Sequence, residues 1–189
     1  MVRIISGSKK GHKLEIPSTS IRPTIDRVKE ALFSIIGDEI VESTFLDMFS
    51  GSGAIGLEAL SRGAQLAVFV DNNTECIRTI KRNLNKLKLT EKFLVIHSDA
   101  FQIHKYIKDI QFDIVFIDPP YQKIELQKKS LNYLLTKNMI HTNSLIILEA
   151  FSKNPLSFTT DKLSIIKEVK YGDTILYFYR VMEQKTEVI

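Results

Sequence analysis

The 189-residue sequence predicts an α/β fold: a seven-stranded mixed sheet with helices on both faces. Three observations lead there. From residue 44 onward, short apolar runs alternate with segments of helical period, the pattern of strands joined by covering helices. The runs are apolar on both faces, as parallel strands are when helices sandwich them. Near the end the alternation stops. Two strand-like runs, 163–170 and 174–180, flank Tyr171-Gly172-Asp173 and read as an antiparallel hairpin.

Taken in order, residues 2–6 and 13–16 read as short strands around a turn at 8–11, followed by a polar loop at 17–23. A helix is predicted from Thr24, with Ile25, Val28, Leu32, Ile35 and Ile36 on one face and Gly37 as its stop. Strands follow at 44–48, 66–70, 93–97, 112–117 and 144–149. Helices at 54–61, 73–87, 100–107 and 125–136 separate them. Residues 1–40 are therefore expected to form an N-terminal extension, 41–182 the main domain, and 183–189 a polar tail.

A hydrophobic fraction of 44% and a charged fraction of 25% are ordinary for a globular domain and exclude disordered and collagen-like classes. No apolar run approaches the roughly 18 residues that a membrane helix needs, and residues 1–7 lack the apolar stretch of a signal peptide. The single cysteine, Cys76, has no partner for an internal disulfide, so a reducing cytoplasm is expected; the chain is also expected to be a monomer. His12, His97, His104 and His141 show no metal-ligand spacing, and no metal is expected.

The net charge of +4 is unevenly placed. The first 30 residues hold seven basic groups (Arg3, Lys9, Lys10, Lys13, Arg22, Arg27, Lys29) against three acids (Glu15, Asp26, Glu30), which is the whole excess. A second basic group, Arg78, Lys81, Arg82, Lys86, Lys88 and Lys92, lies opposite the apolar Ile77, Ile80, Leu84 and Leu87. It reads as the solvated face of a helix.

The first strand of the alternating region runs into Asp47-Met48-Phe49-Ser50-Gly51-Ser52-Gly53-Ala54-Ile55-Gly56, a G-x-G-x-x-G loop at a strand-to-helix junction. Glycines there let the backbone turn tightly and approach a ligand. Asp71 ends the next strand, where a carboxylate can bond the hydroxyls of a ribose. Asp99, after the third strand, is placed to accept from the exocyclic amine of an adenine. Asp47 beside the loop would repel a pyrophosphate but suits the cationic S-adenosylmethionine. Three acids at successive strand ends thus favour that cofactor over NAD. The candidate cofactor-binding residues are Asp47, Phe49, Ser50, Gly51, Ser52, Gly53, Asp71, Asn72, Asp99 and Ala100. Asp99 also fits a helix N-cap, and Asp47 a buried acid satisfied by backbone N–H groups.

The fourth strand ends in Asp118-Pro119-Pro120-Tyr121, facing the same crevice, because ligands of open α/β sheets lie outside the strands' carboxyl ends. The prolines stiffen the loop. The Asp118 carboxylate and the Pro119 carbonyl are both acceptors, suited to the two hydrogens of an exocyclic NH₂. Holding them pulls the nitrogen towards a tetrahedral shape and frees its lone pair to attack a methyl sulfonium. Tyr121 offers a face on which a base stacks. Asp118, Pro119, Pro120 and Tyr121 are the candidate catalytic residues.

Asp-Pro-Pro-Tyr behind such a glycine loop resembles the signature of amino-directed methyltransferases. The more specific likeness lies in SGSKKGHKL at 6–14, RPTIDRVKEALF at 22–33, LDMFSGSGAIGLEALSRGA at 46–64 and YGDT at 171–174. These runs resemble the bacterial 16S ribosomal RNA guanine-N2 methyltransferases, over about residues 2–180. The resemblance implies a Rossmann-like class I S-adenosylmethionine-dependent fold. It also implies methylation of N2 of one guanine, which the family name gives as guanine 966, within the small ribosomal subunit. It implies an RNA-docking role for the extension, through Lys9, Lys10, His12, Lys13, Arg22, Thr24 and Arg27. Three positions depart from the family pattern: Asp71 where Glu is commoner, Ser34 where Asn is usual, and Ser98 where Gly is usual.

The rivals are an N6-adenine DNA methyltransferase, a protein-glutamine methyltransferase, an NAD-dependent oxidoreductase and an inactive RNA-binding module. The glutamine enzymes usually have Asn before Pro-Pro-Tyr, Asp47 disfavours NAD, and the intact tetrapeptide disfavours the inactive module.

Overall fold

The computed structural model describes residues 2–18, 26–89, 92–120, 124–153, 155 and 158–182. Arg22, Thr24, Tyr121 and the 183–189 tail lie outside them. One sheet organises the chain, from β1 (Thr44–Asp47), β2 (Leu66–Asp71), β3 (Lys92–His97), β4 (Phe112–Ile117), β5 (Ile140–Phe151), β6 (Leu163–Tyr171) and β7 (Thr174–Val181). Its order is β3-β2-β1-β4-β5-β7-β6. Neighbours from β3 through β5 run parallel, and β7 lies antiparallel between β5 and β6. The expected mixed sheet with a C-terminal hairpin is therefore present. The winding direction reverses between β1 and β4, so a crevice opens at their carboxyl ends.

The helices α1 (Asp26–Ile36), α2 (Ala54–Ser61) and α3 (Thr74–Leu87) cover one face, and α4 (Ile124–Thr136) the other. Alternation within the strands explains the division. Ala67 and Phe69 of β2 pack with Leu57, Ile80 and Leu84, while Val68 and Val70 pack with Leu131 and Leu134. α2 is short and buried along its whole length, which its sequence AIGLEALS permits. Gly56 lets it sit close to the sheet, because a Cβ there would stand 2.4 Å from the Phe69 ring. Asn73 caps α3 by accepting from the Glu75 and Cys76 amides.

Three expectations change. The helix expected at 100–107 is a 3-10 helix, Ala100–Lys105. Its amides bond three residues back, Gln102 N to Asp99 O and Tyr106 N to Ile103 O, while the His104 amide donates to the Tyr133 hydroxyl at 3.1 Å. The side-chain acceptor diverts a ladder bond, and the turn stays tight. β5 begins four residues earlier than expected, at Ile140. The N-terminal pair of strands reduces to one bridge, Arg3 to Lys13, flanked by backbone bonds between Ile4 and His12 and between Leu14 and Val2.

That hairpin is docked on the body. Val2, Ile4 and Leu14 share a core cluster with α2, α3 and β2. The fully buried Glu58 of α2 accepts from the amides of Ile5 at 2.8 Å and Ser6 at 2.9 Å. It also pairs with Arg62 at 2.9 Å and with the buried Lys29 of α1 at 3.5 Å. The Lys29 ammonium donates in addition to the Arg3 carbonyl. Gly7, at φ +81°, passes so close to Ser61 that a Cβ would stand 1.7 Å from its carbonyl oxygen. No helix among the described residues is long and apolar enough to cross a membrane.

Candidate active site

A cleft of about 330 Å³ lies at the carboxyl ends of β1, β2, β3 and β4. Its size is that of a small-molecule site. Of the residues expected to hold a cofactor, Phe49, Gly51, Asp71, Asn72, Asp99 and Ala100 line it. So do Asp118 and Pro120 of the tetrapeptide. Pro119 is buried behind them. The ends of four of the five parallel strands thus converge on one cavity.

Asp71 braces the glycine loop: one oxygen accepts from the Gly51 amide and the other from the Asn73 amide, both at 2.8 Å. A carboxylate has about four acceptor positions, and the Cys76 thiol also bonds to Asp71, so part of that capacity stays open. The Asp99 Oδ1 caps the 3-10 helix through the Phe101 amide at 2.7 Å. Its Oδ2 makes no hydrogen bond among the described residues. Capping therefore leaves the second oxygen of the side chain open.

Asp47 departs from expectation. It is 1% exposed and is absent from the cleft wall. Its Oδ2 accepts from the Gly56 amide at 3.1 Å, near the start of α2. Burial pushes its carboxyl up to about 7, opposed by that amide and reinforced by the Asp71 carboxylate. The acidity of the cleft is carried instead by Asp71, Asp99 and Asp118, all of which line it. Ser50, Ser52 and Gly53 also stand off the wall. The Ser50 hydroxyl donates to the Asp47 carbonyl and accepts from the Val70 amide, tying the loop to β1 and β2. The Ser52 carbonyl receives the Asn83 side-chain amide, and Gly53 turns the chain at φ +78° against Ile80 and Phe69. These three residues shape the loop from behind.

Sequence reasoning missed Met48, Asn73, Cys76, Ser98, Phe101 and Leu126, which complete the wall. Phe101 stacks edge-on between Phe49 and Tyr133, at 6.4 and 5.6 Å between centroids. An aromatic following Asp99-Ala100 was the available signal. Burial and the Asp71 carboxylate push the Cys76 thiol up to about 12, so it stays protonated and unreactive. No cluster of three or more potential metal ligands exists among the described residues.

Of the basic residues expected to meet RNA, the described ones, Lys9, Lys10, His12, Lys13 and Arg27, do not line the cleft. Lys10, His12, Lys13 and Arg27 are exposed, Lys9 partly so, and none makes an ion pair among the described residues.

Comparisons with known proteins bear on the family and the fold. A family model described as "Conserved hypothetical protein 95" matches residues 2–180. The chain is 37% identical to ribosomal RNA small subunit methyltransferase D of Haemophilus influenzae, covering 90% of this chain and 89% of that protein. Identity to the Escherichia coli protein of the same name is 34%, over 95% and 89%. Among solved structures, "Putative methyltransferase yhhF" from Escherichia coli superposes with a TM-score of 0.86 at 32% identity, covering 97% of this chain and 99% of that one. The sheet order, the glycine loop and these superpositions define a Rossmann-like, class I S-adenosylmethionine-dependent methyltransferase fold. The chain belongs to the family that includes ribosomal RNA small subunit methyltransferase D.

Proposed function

We propose that this protein methylates the exocyclic N2 amine of a guanine in small-subunit ribosomal RNA, using S-adenosylmethionine. The observation that carries the reading is one shared cavity: Asp118 and Pro120 stand on the same wall as Gly51, Asp71 and Asp99. The names of the relatives supply the substrate class, ribosomal RNA of the small subunit.

The donor set fits the cofactor. Asp71 has acceptor capacity for a ribose diol, and the Asp99 Oδ2 for an adenine amine. Phe49 and Phe101 offer apolar faces beside them. Bound there, S-adenosylmethionine supplies an electrophilic methyl group and leaves as a neutral thioether.

The chain's own part is positioning and electrostatics. Asp118 and the Pro119 carbonyl take the two amine hydrogens. Held so, the nitrogen lone pair would be free to take a methyl group from the bound donor, and Asp118 would accept the proton that the amine sheds and pass it to water. Tyr121 stacks the base. The extension, residues 1–40, docks the RNA through Lys9, Lys10, His12, Lys13, Arg22, Thr24 and Arg27, so subunit binding weakens with salt.

The deciding experiment offers a labelled methyl donor with unmodified small subunits, free ribosomal RNA and DNA, and maps the modified base. Label on a guanine N2 of subunit RNA is expected. Label on adenine or on protein glutamine supports the rival methyltransferases instead. Asp118→Ala abolishes transfer while calorimetry still reads cofactor binding; retained transfer removes Asp118 from the chemistry.

A further inference from the structure

α3 joins two places that the proposed function uses separately. Its first turn, Asn73 and Cys76, lines the cleft. Its far end reaches the hairpin, where the Lys9 ammonium donates to the Lys88 carbonyl at 3.4 Å. Its 14 residues span about 21 Å. RNA held on Lys9 and Lys10 must cover that distance to bring a base to Asp118.

The outer face of α3 is cationic along its length. Arg78, Lys81, Lys86 and Lys88 are exposed and make no ion pair among the described residues. Arg82, between them, is already held by Glu15 at 2.8 Å and Glu75 at 3.0 Å. At the hairpin end stands Phe93 of β3, the free edge of the sheet. It is 39% exposed, and it pairs with Ala67, whose side chain faces the α3 core, so its ring lies on the α3 side. Unpaired cations in a row beside an exposed aromatic ring match the chemistry of a single RNA strand: phosphates along the row and one base on the ring.

We propose that the outer face of α3 is an RNA track, on which Arg78, Lys81, Lys86 and Lys88 hold backbone phosphates between hairpin and cleft and Phe93 stacks a base. The inference rests on the reading that the substrate is ribosomal RNA. It assigns to RNA a face whose sequence alone reads as merely solvated.

The test compares full-length wild type with Arg78→Glu/Lys81→Glu/Lys86→Glu on small subunits across a salt series. The triple variant raises KM about tenfold near physiological salt and flattens the log-affinity against log-salt slope by about 2, roughly 0.7 per lost single-strand phosphate contact. Its kcat and cofactor binding stay within about twofold, because the chemistry is untouched. Phe93→Ala weakens binding with the slope unchanged, since stacking releases no counterions. Lys167→Glu/Lys170→Glu, on the opposite edge of the sheet, changes neither quantity. If charge reversal hinders folding, Arg78→Gln/Lys81→Gln/Lys86→Gln gives the same readout with a smaller change. Unchanged KM and slope in the triple variant overturn the track while leaving the function intact. An equal effect from the opposite-edge variant also overturns it, by showing a net-charge effect. If wild type neither binds nor methylates RNA, the functional reading falls and the track with it.

Discussion

Two buried carboxylates, one on α2 and one at the end of β1 beside it, have different surroundings. Glu58, at the seam with the hairpin, is fully buried yet surrounded by donors: two backbone amides, the Arg62 guanidinium and the Lys29 ammonium. Asp47, beneath the cleft, is as deeply buried, but among the described residues its carboxylate accepts only from the Gly56 amide, at 3.1 Å. The charge of the seam carboxylate is matched by cations and amides beside it. The other has its carboxyl pushed up to about 7. A buried charge is stabilised by its partners, not by burial itself. The seam is thus built to lock, whereas the floor of the cleft keeps an acid that titrates near neutrality.

The contrast is open to breakage, beginning with the largest effect. Glu58→Ala leaves the Lys29 ammonium buried without its carboxylate and should cost about 3–5 kcal/mol in denaturant unfolding. Lys29→Met in that background should return part of the loss, because it removes the orphaned charge.

Asp47→Asn should act in the opposite direction, with a pH signature. The folded carboxyl titrates at about 7, well above the ordinary aspartate value of 3.8, so the folded state binds the extra proton between those values. The stability this carboxyl gives is complete below pH 3.8 and is lost as pH rises through about 7. The variant should therefore be more stable than wild type at pH 8, by up to about 4 kcal/mol. The gap should close as pH falls towards 4. Unfolding curves at both pH values check it, and a gap constant with pH would remove the contrast with Glu58.

The smallest effect belongs to an exposed pair. Glu39 meets Arg180, but its side chain is 52% exposed. Water and salt screen it, so Glu39→Gln should cost less than about 1 kcal/mol, and less still at high salt. A loss as large as that of Glu58→Ala would show that burial does not set the difference.

Much of the site was legible before any coordinates. Asp71, Asp99 and Asp118 follow apolar runs, and the carboxyl end of a parallel strand faces the crevice whatever else the chain does. Gly51 and Asp71 were readable as a pair because they end consecutive elements of one β-α-β unit. The side to which Asp47 turns was not readable, since it depends on how closely α2 approaches β1 and β2. That approach is permitted by Gly56 against Phe69. Phe101 and Leu126 were missed for a related reason. Both reach the wall through the phase of short helical turns, which here follows the Tyr133 hydroxyl and the seating of α4.

The sequence alone determined the alternation of strands and helices, the acids at the strand ends and the concentration of net charge in the first 30 residues. These are local properties: periodicity, turn chemistry and composition need no distant partner. Only the tertiary structure decided that Glu58 joins the extension to α2, that Asp47 lies outside the cleft, and that the basic face of α3 runs from hairpin to cavity. The first and the last depend on packing between segments some 50 to 80 residues apart, such as Ile5 on Glu58 and Lys9 on Lys88, and the second on how closely Gly56 lets α2 approach Phe69. Contacts of that range are set by which faces the sheet brings together, and no local pattern encodes them.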